Sequence, residues 1–411
     1  MNKFLIYIFF FIILSNCGFG KKDINEKKDV RDLFKKVDPI QKEFNPNLDI
    51  KLTKINASNI NFDTNFKKKS LYKFSSIDKF NINQPELIFF NDGIIFFDRK
   101  GSIFKISKEL KKVWKVNHYS KKEKKLGPIL YFSKSGKNLV VADNISKIYL
   151  VNSETGKLVW SNESLSPFNS NIKVFKDKIL AVDFDNIIRC FSIKDGKELW
   201  NFVTENSFIK SQKKLSILLK DENVYFINNL GDVTSLNIND GSLIWQTPTQ
   251  KNTIYQNAFS LKNSDLVLND NTIFFSNNKN EIFSIDARNG IVRWKQTVNS
   301  SIKPRITESL IFSISNEGFL FVIDEQRGNI LRINNLLKGI KNKKNKIKPT
   351  GFIIAKNKIF MSLNNGRLIK ADIATGAQEN IIKIGKSKIS KPYIFDNSMY
   401  LVRDNAIIKI N

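Results

Sequence analysis

The tryptophans of the chain all fall at one position of an internal repeat, and this repeat constrains the fold more than any other feature. They are Trp114, Trp160, Trp200, Trp245 and Trp294, separated by 46, 40, 45 and 49 residues. A glycine stands four residues before the tryptophan in four copies, at Gly156, Gly196, Gly241 and Gly290. Two later copies keep the glycine and lose the tryptophan, at Gly328 with Arg332 and Gly376 with Asn380. A period of 40 to 50 residues is typical of propeller blades.

The residues before each glycine predict a β-hairpin. In one copy, Val224–Ile227 and Val233–Ile238 are strand-like runs separated by the turn Asn229-Leu230-Gly231. Alternating runs around such a turn are a strong hairpin signal. A further strand-like run, such as Leu215–Leu219, precedes each hairpin. With the strand that carries the tryptophan, each repeat therefore makes a four-stranded antiparallel blade.

The glycine and the tryptophan have separate roles in this interpretation. We expect each glycine to supply the positive φ of the tight turn into the fourth strand. We expect each tryptophan ring to fill the wedge that opens between neighbouring blades, in preference to stacking on a ligand. The first copy has Leu110 where the others have glycine.

Seven such units end near residues 114, 160, 200, 245, 294, 332 and 380. Three more strand-like runs follow, at Tyr393–Phe395, Met399–Val402 and Ile407–Ile410. The N-terminal run Leu71–Phe74 can supply the missing fourth strand and leave no open sheet edge. The sequence therefore predicts an all-β fold, an eight-bladed β-propeller whose last blade is closed by an N-terminal strand. Seven blades is the alternative if the last unit stays incomplete.

The N-terminal region predicts export. An apolar run of eleven residues, Phe4–Leu14, follows Lys3. It is too short for a membrane span of about 20 residues and fits the core of a secretory signal. Leu14-Ser15-Asn16-Cys17 resembles the bacterial lipobox, in which the cysteine is lipidated. An N-terminal anchor helix with an incidental cysteine is the alternative. We expect a lipoprotein signal peptide at 1–16, a lipidated flexible tether at 17–69 and the propeller at 70–411.

Composition argues against most enzyme classes. The chain has two cysteines and one histidine, which excludes a disulfide framework and cysteine-cluster metal sites and disfavours histidine-based catalysis. No Ser/His/Asp set, phosphate-binding loop or carboxylate pair stands out. We therefore expect no catalytic residue, no metal and no cofactor. Cys190 is expected to be a small buried hydrophobic residue, and His118 an inert surface residue.

The charge is strongly basic, with 67 Lys and Arg against 39 Asp and Glu and a net charge of +28. Such a balance is typical of nucleic-acid binding, but an exported chain does not meet nucleic acid. Lysine enrichment through AT-rich codons is the simplest explanation. Two inter-blade loops concentrate the lysines, which are Lys121, Lys122, Lys124 and Lys125 in one and Lys338, Lys341, Lys343, Lys344, Lys346 and Lys348 in the other. Contact with anionic lipid remains an alternative role for them.

The Gly-x-x-x-Trp endings resemble the pyrroloquinoline-quinone-type propeller repeat. Together with the lipobox and the tether, they resemble the BamB family, the propeller lipoproteins of the outer-membrane β-barrel assembly machinery. This resemblance implies a non-catalytic scaffold, monomeric within a hetero-oligomeric complex. It implies binding to the periplasmic domains of the barrel-inserting subunit and assistance to nascent outer-membrane proteins. The implied location is the outer membrane of a Gram-negative bacterium, anchored by lipid and facing the periplasm.

The resemblance also implies a contact site. In the family, the loop after the fourth strand of the third blade presents apolar residues before an arginine. The corresponding residues here are Phe208, Ile209 and Lys210, although they can equally open the next strand. The acidic residues of the family's following loop have no clean match in Leu261–Asp265. The repeat also implies an alternative function, that of a quinone-dependent dehydrogenase. This chain lacks the adjacent cysteine pair that is usual in those enzymes.

Overall fold

A computed structural model describes residues 62, 64, 66, 69–76, 86–206, 210–250, 261–341 and 346–411. Strand β1 (Lys69–Lys73) comes first in the chain and belongs to the last blade. The strands of blades 1 to 4 are β2 (Ile88–Phe90), β3 (Gly93–Phe97), β4 (Ile103–Ile106), β5 (Lys112–Val116); β6 (Leu130–Ser135), β7 (Asn138–Asp143), β8 (Lys147–Asn152), β9 (Leu158–Glu163); β10 (Lys173–Phe175), β11 (Lys178–Val182), β12 (Ile187–Ser192), β13 (Glu198–Val203); and β14 (Ile217–Lys220), β15 (Asn223–Ile227), β16 (Val233–Asn237), β17 (Leu243–Thr247).

The strands of blades 5 to 8 follow in the same manner. They are β18 (Val267–Asn269), β19 (Thr272–Asn277), β20 (Glu281–Asp286), β21 (Val292–Gln296); β22 (Arg305–Thr307), β23 (Leu310–Ile314), β24 (Phe319–Asp324), β25 (Ile330–Asn335); β26 (Pro349–Ala355), β27 (Lys358–Leu363), β28 (Arg367–Asp372), β29 (Gln378–Lys383); and β30 (Tyr393–Phe395), β31 (Ser398–Arg403), β32 (Ala406–Ile410). Each blade is a four-stranded antiparallel sheet with its strands in sequence order, except that β1 is the fourth strand of blade 8. The eight-bladed propeller predicted from the sequence is confirmed.

The hydrophobic core lies between the blades. The two middle strands of a blade are buried on both faces because each face packs against a neighbouring sheet, as in Gly93–Phe97. The fourth strand is largely exposed, as in Glu198–Val203. Seven buried apolar clusters each join two adjacent blades. The first strands of neighbouring blades also contact one another, as β6 contacts β10 and β10 contacts β14, so these strands line the centre of the ring.

Each tryptophan reaches from its own blade to the turn of the next blade. The indole Nε1 of Trp200 donates to the Ile238 carbonyl at 3.0 Å, and a Cβ built on Gly241 would lie 2.5 Å from the Trp200 ring. The other indoles, of Trp114, Trp160, Trp245 and Trp294, donate to the carbonyls of Ser153, Ile193, Ala287 and Glu325. The facing turn glycines have φ between +67° and +75° and are Gly156, Gly196, Gly241, Gly290, Gly328 and Gly376. Glycine thus meets two requirements, a left-handed backbone and room for the preceding blade's side chain.

Arg332 takes the tryptophan's place in blade 6. Its guanidinium donates to the Ala374 carbonyl and, at 2.7 Å, to the Ile373 carbonyl of blade 7. In blade 1 the glycine position holds Leu110, which has φ +62°. Its side chain is buried with Tyr400 and Ile407 of blade 8. The fourth strand of that blade, β1, carries no tryptophan that would need a glycine opposite it.

The closing strand joins the two ends of the propeller. Lys69 lies opposite Ile410 and Lys73 opposite Ala406 in an antiparallel ladder. The Tyr72 ring meets Phe96 of blade 1 edge to face, with 6.0 Å between ring centroids. Phe62, within the predicted tether, is only 2% exposed and packs on Phe360 of blade 7. The described residues of that segment therefore lie against the propeller.

Candidate functional site

The loop from β13 to β14 contains the predicted contact site, and its first end is fixed by hydrogen bonds. The Thr204 hydroxyl donates to the Asn186 carbonyl at 2.9 Å, and the Asn186 amide donates to the Glu205 carbonyl at 2.9 Å. Asn186 is fully buried in the turn between the second and third strands of blade 3. The loop therefore starts from a turn of its own blade.

The second end of the loop is fixed by neighbouring residues. The Lys210 ammonium forms an ion pair with Asp185 and lowers the pKa of that carboxyl. The Asn169 amide donates to the Ser211 and Lys213 carbonyls at 3.2 and 3.3 Å. Anchored ends reduce the conformational entropy that a loop loses when it binds a partner. The predicted contact residues Phe208 and Ile209 lie outside the described residues, as does the predicted lipidation site Cys17.

A buried ion pair supports the turn that holds the loop. One Asp183 oxygen accepts from the backbone N–H groups of Asp185 and Ile187 at 2.8 and 3.0 Å, and the other accepts from Arg189 Nε at 2.9 Å. Arg189 also donates to Glu198 at 2.9 Å. Burial raises the pKa of Asp183 despite these donors. Because a buried charge that loses its partner is costly, this network restricts the turn to one conformation.

Sequence reasoning missed these supporting residues, although a periodic signal marks them. Six blades carry an aspartate, asparagine or serine at the end of the second strand or just after it. The side-chain oxygen of this residue accepts hydrogen bonds from the backbone N–H groups two and four residues later. They are Asp98, Asp143, Asp183, Asn228, Asn277 and Ser315. Such side-chain-to-backbone bonds mimic a turn, and their spacing follows the tryptophan period.

The equivalent of the family's acidic loop behaves differently. Asp265 is half-buried among lysines at the centre of the ring. Burial alone would raise the pKa of Asp265, but Lys214, Lys391 and Lys213 outweigh burial and lower it. This carboxylate therefore lies among lysines of its own chain at the cavity in the ring.

Other residues singled out from the sequence have plain structural surroundings. The Lys121–Lys125 segment is a short helix, α1, rather than a loop, and Ser120 and Glu123 form a capping box at its start. Cys190 is fully buried, and burial raises the pKa of its thiol to about 12. His118 is half-buried rather than on the surface. Its Nε2 lies 3.2 Å from the Gly156 carbonyl, and burial lowers its pKa.

The second lysine cluster is at the surface wherever the structure describes it. Lys338, Lys341, Lys346 and Lys348 are exposed, and Lys343 and Lys344 lie outside the described residues. Across the described ranges, no group of three or more His, Cys, Asp and Glu side chains is placed to hold a metal ion. No described helix is long and apolar enough to cross a membrane.

Several solved structures resemble the fold of this chain. BamB from Moraxella catarrhalis has a TM-score of 0.66 and 16% identity, over 83% of this chain and 99% of that structure. The computationally designed Ika8 protein has a TM-score of 0.61 and 14% identity, over 83% and 100%. The C-terminal WD40 domain of Sif2 has a TM-score of 0.60 and 11% identity, over 83% and 98%. At such identities the likeness shows the fold.

Sequence comparison identifies the family. An uncharacterized protein of Rickettsia conorii is 32% identical over 126 residues, which covers 26% of this chain and 30% of that relative's length. The family model described as outer membrane protein assembly factor BamB matches residues 99–334. That range runs from the first blade through the sixth and includes every Gly-x-x-x-Trp ending. The resemblance inferred from the repeats is thereby confirmed, and the chain belongs to the BamB outer-membrane assembly factor family.

Proposed function

We propose that the chain is a non-catalytic scaffold lipoprotein of outer-membrane protein assembly. It binds the periplasmic domains of the barrel-inserting subunit and assists the insertion of β-barrel proteins, as a monomer within a hetero-oligomeric complex. Family membership carries this proposal. The proposed location is the periplasmic side of the outer membrane, with a lipid on Cys17 as the anchor.

The anchored loop between β13 and β14 supports the proposed contact. Asn186 holds Glu205 and Asp185 holds Lys210, so blade 3 itself fixes both described ends of this loop. Phe208 and Ile209 provide two apolar side chains at this point of the sequence. Apolar side chains surrounded by polar ones are the usual composition of the centre of a protein interface.

The experiment is capture of the barrel-inserting subunit's periplasmic domains by the purified chain. We expect the Phe208→Asp, Lys210→Glu double variant to lose most of the capture, because a charge replaces the apolar anchor and the basic residue changes sign. The matched control is Leu199→Asp with Lys197→Glu, two exposed positions of the same blade. Undiminished capture by the loop variant, or equal loss in the control, would count against this interface.

The non-catalytic part of the proposal has its own measurement. We expect the purified chain, supplied with pyrroloquinoline quinone and calcium, to reduce no artificial electron acceptor. Saturable dye reduction that depends on the quinone would instead favour the dehydrogenase alternative.

A further inference from the structure

A basic cavity lies at one mouth of the central channel. It has a volume of about 610 Å³ and is lined mainly by residues that precede or open the first strands of blades 1 and 4 to 8, with further residues from the turns after the second strands of blades 5 to 7. Among the described residues, three acidic side chains line it, Glu86, Asp265 and Glu317. The described basic ones number eight, an excess of five positive charges, and they are Lys213, Lys214, Lys262, Lys303, Arg305, Lys348, Lys388 and Lys391.

The acidic residues neutralise only part of this charge. Glu86 accepts from both Lys214 and Lys391, at 2.7 and 3.2 Å. Glu317 accepts instead from the Asn299 amide at 2.5 Å. Within the described part of the chain, Lys303 and Lys388 form no ion pair. The cavity therefore presents ammonium groups whose charge the fold does not balance.

Burial disfavours the protonated form of three of the cavity lysines. Burial lowers the pKa of Lys213, Lys303 and Lys388, and the charge of Lys262 lowers that of Lys388 further. A lowered lysine pKa means that the surroundings disfavour the protonated form. A bound anion would reverse this effect, because it restores an opposite charge at hydrogen-bonding distance.

Arg305 adds an unused donor to the same cavity. Its Nη2 donates to the Phe352 carbonyl at 3.3 Å. Its Nε is buried and, in the described residues, has no acceptor. A buried donor without an acceptor is unfavourable, so a ligand oxygen that reached this atom would remove a penalty already present in the free protein.

The repeat explains how the lysines come together. Lys-Pro occurs at 303–304, 348–349 and 391–392, with 45 and 43 residues between successive copies. The lysine of an X-Pro pair is restricted to extended backbone, and here it stands just before the first strand of blades 6, 7 and 8. Because the first strands line the channel, one lysine from each of these blades reaches the same mouth.

We propose that this mouth of the channel is a binding site for a ligand that carries two or more phosphate groups. The excess of five charges exceeds what one phosphate neutralises, and 610 Å³ is within the usual volume of a small-molecule site. Either a phosphorylated lipid headgroup or a soluble polyphosphate has this chemistry. The lysines tested below, Lys303 and Lys388, lie outside the proposed contact loop, so this proposal can fail or hold without affecting the scaffold proposal.

The test is calorimetric titration of inorganic tripolyphosphate into the full chain at low salt. We expect saturable binding at one site, weakened about tenfold or more by Lys303→Gln with Lys388→Gln. Asp265→Asn should tighten binding, because it removes a negative charge from the cavity. Lys157→Gln with Lys194→Gln, two exposed lysines elsewhere, is the matched control and should leave affinity unchanged. Affinity should fall at strongly alkaline pH, where the lysines lose their protons.

Two further results decide the outcome. Vesicles of phosphatidylcholine with cardiolipin, whose headgroup carries two phosphates, distinguish the source of the phosphate. Capture that tripolyphosphate displaces and that Lys303→Gln with Lys388→Gln abolishes identifies a lipid headgroup, whereas binding of tripolyphosphate alone identifies a soluble ligand. Absence of saturable tripolyphosphate binding, or equal weakening by the control pair, would overturn the proposal. Thermal melts of each variant show whether an altered affinity comes from unfolding.

Discussion

Replacing the turn glycine of blade 4 by alanine tests how the blades hold one another. Gly241 has φ +73°, and a Cβ there would lie 2.5 Å from Trp200 Cε3 and 2.7 Å from Cδ2. Both atoms belong to a rigid ring whose Nε1 is bonded to Ile238 in the same blade as the glycine. The ring therefore has no easy way to move aside, and Gly241→Ala must displace one blade relative to the next.

The expected cost has two parts. The left-handed backbone costs alanine about 1–2 kcal/mol, and overpacking of a filled site costs about 1–3 kcal/mol more. Gly241→Ala should thus lower the free energy of unfolding by about 2–5 kcal/mol. Gly127→Ala is the matched control, since Gly127 has φ +67° and nothing within 4 Å of the added Cβ. It should show the backbone part alone, about 1–2 kcal/mol.

Urea unfolding followed by far-ultraviolet circular dichroism measures both variants. The steric part is isolated by adding Trp200→Leu, because a smaller side chain leaves room for the Cβ. The double variant should then be less destabilised than the sum of the two single changes. Equal shifts for Gly241→Ala and Gly127→Ala, or strict additivity with Trp200→Leu, would refute the idea that tryptophan and glycine act as a pair.

Three further predictions follow from other contacts. Glu123, whose pKa is lowered to about 2 chiefly by its hydrogen bond to a lysine, should stabilise the fold by about 1 kcal/mol at neutral pH. Because the folded pKa is depressed, that contribution should persist above the unfolded pKa and disappear as the pH falls from about 4.5 toward 2, so urea midpoints of Glu123→Gln and the parent should converge there. Cys190 should resist a thiol reagent at pH 8 in a Cys17→Ser chain until denaturant is added, and rapid native labelling would contradict its burial. Removal of residues 1–74 should expose the edge of the last sheet and cause self-association in light scattering, whereas removal of residues 1–61 keeps β1 and should not.

The architecture could be predicted because its requirements recur locally in the sequence. Each blade needs a left-handed turn and a large side chain at fixed spacing, so tryptophan and glycine indicate the period and seven of the eight blades. The strand-like runs at the two ends of the propeller indicate the eighth blade. By residue type Arg332 is the loss of a tryptophan, yet it donates to Ile373 and Ala374 of the next blade. The pattern showed residue types, whereas the physical requirement is a donor that reaches the neighbouring turn.

The candidate sites were less predictable because their partners are distant in sequence or belong to different blades. The family resemblance implies a partner contact for Lys210, and nothing in the local sequence indicates that Asp185 pairs with it. The basic cavity draws lysines from blades whose first strands meet only after the ring has formed. Its periodic Lys-Pro pairs were visible, but their meaning depends on knowing which end of each strand faces the channel.

The strand that closes the ring also sets the order in which the molecule can be completed. The first strand of the propeller to leave the ribosome pairs with the last, across about 340 residues, and it must wait until the whole chain has emerged. Closing so long a polymer loop from a random chain costs about 5 kcal/mol in its length-dependent entropy. Stacked blades bring the two ends of the propeller together first, so most of that entropy has already been lost when β1 pairs with β32. Completion of the circle is therefore the natural last event of folding, and an unpaired edge persists until then.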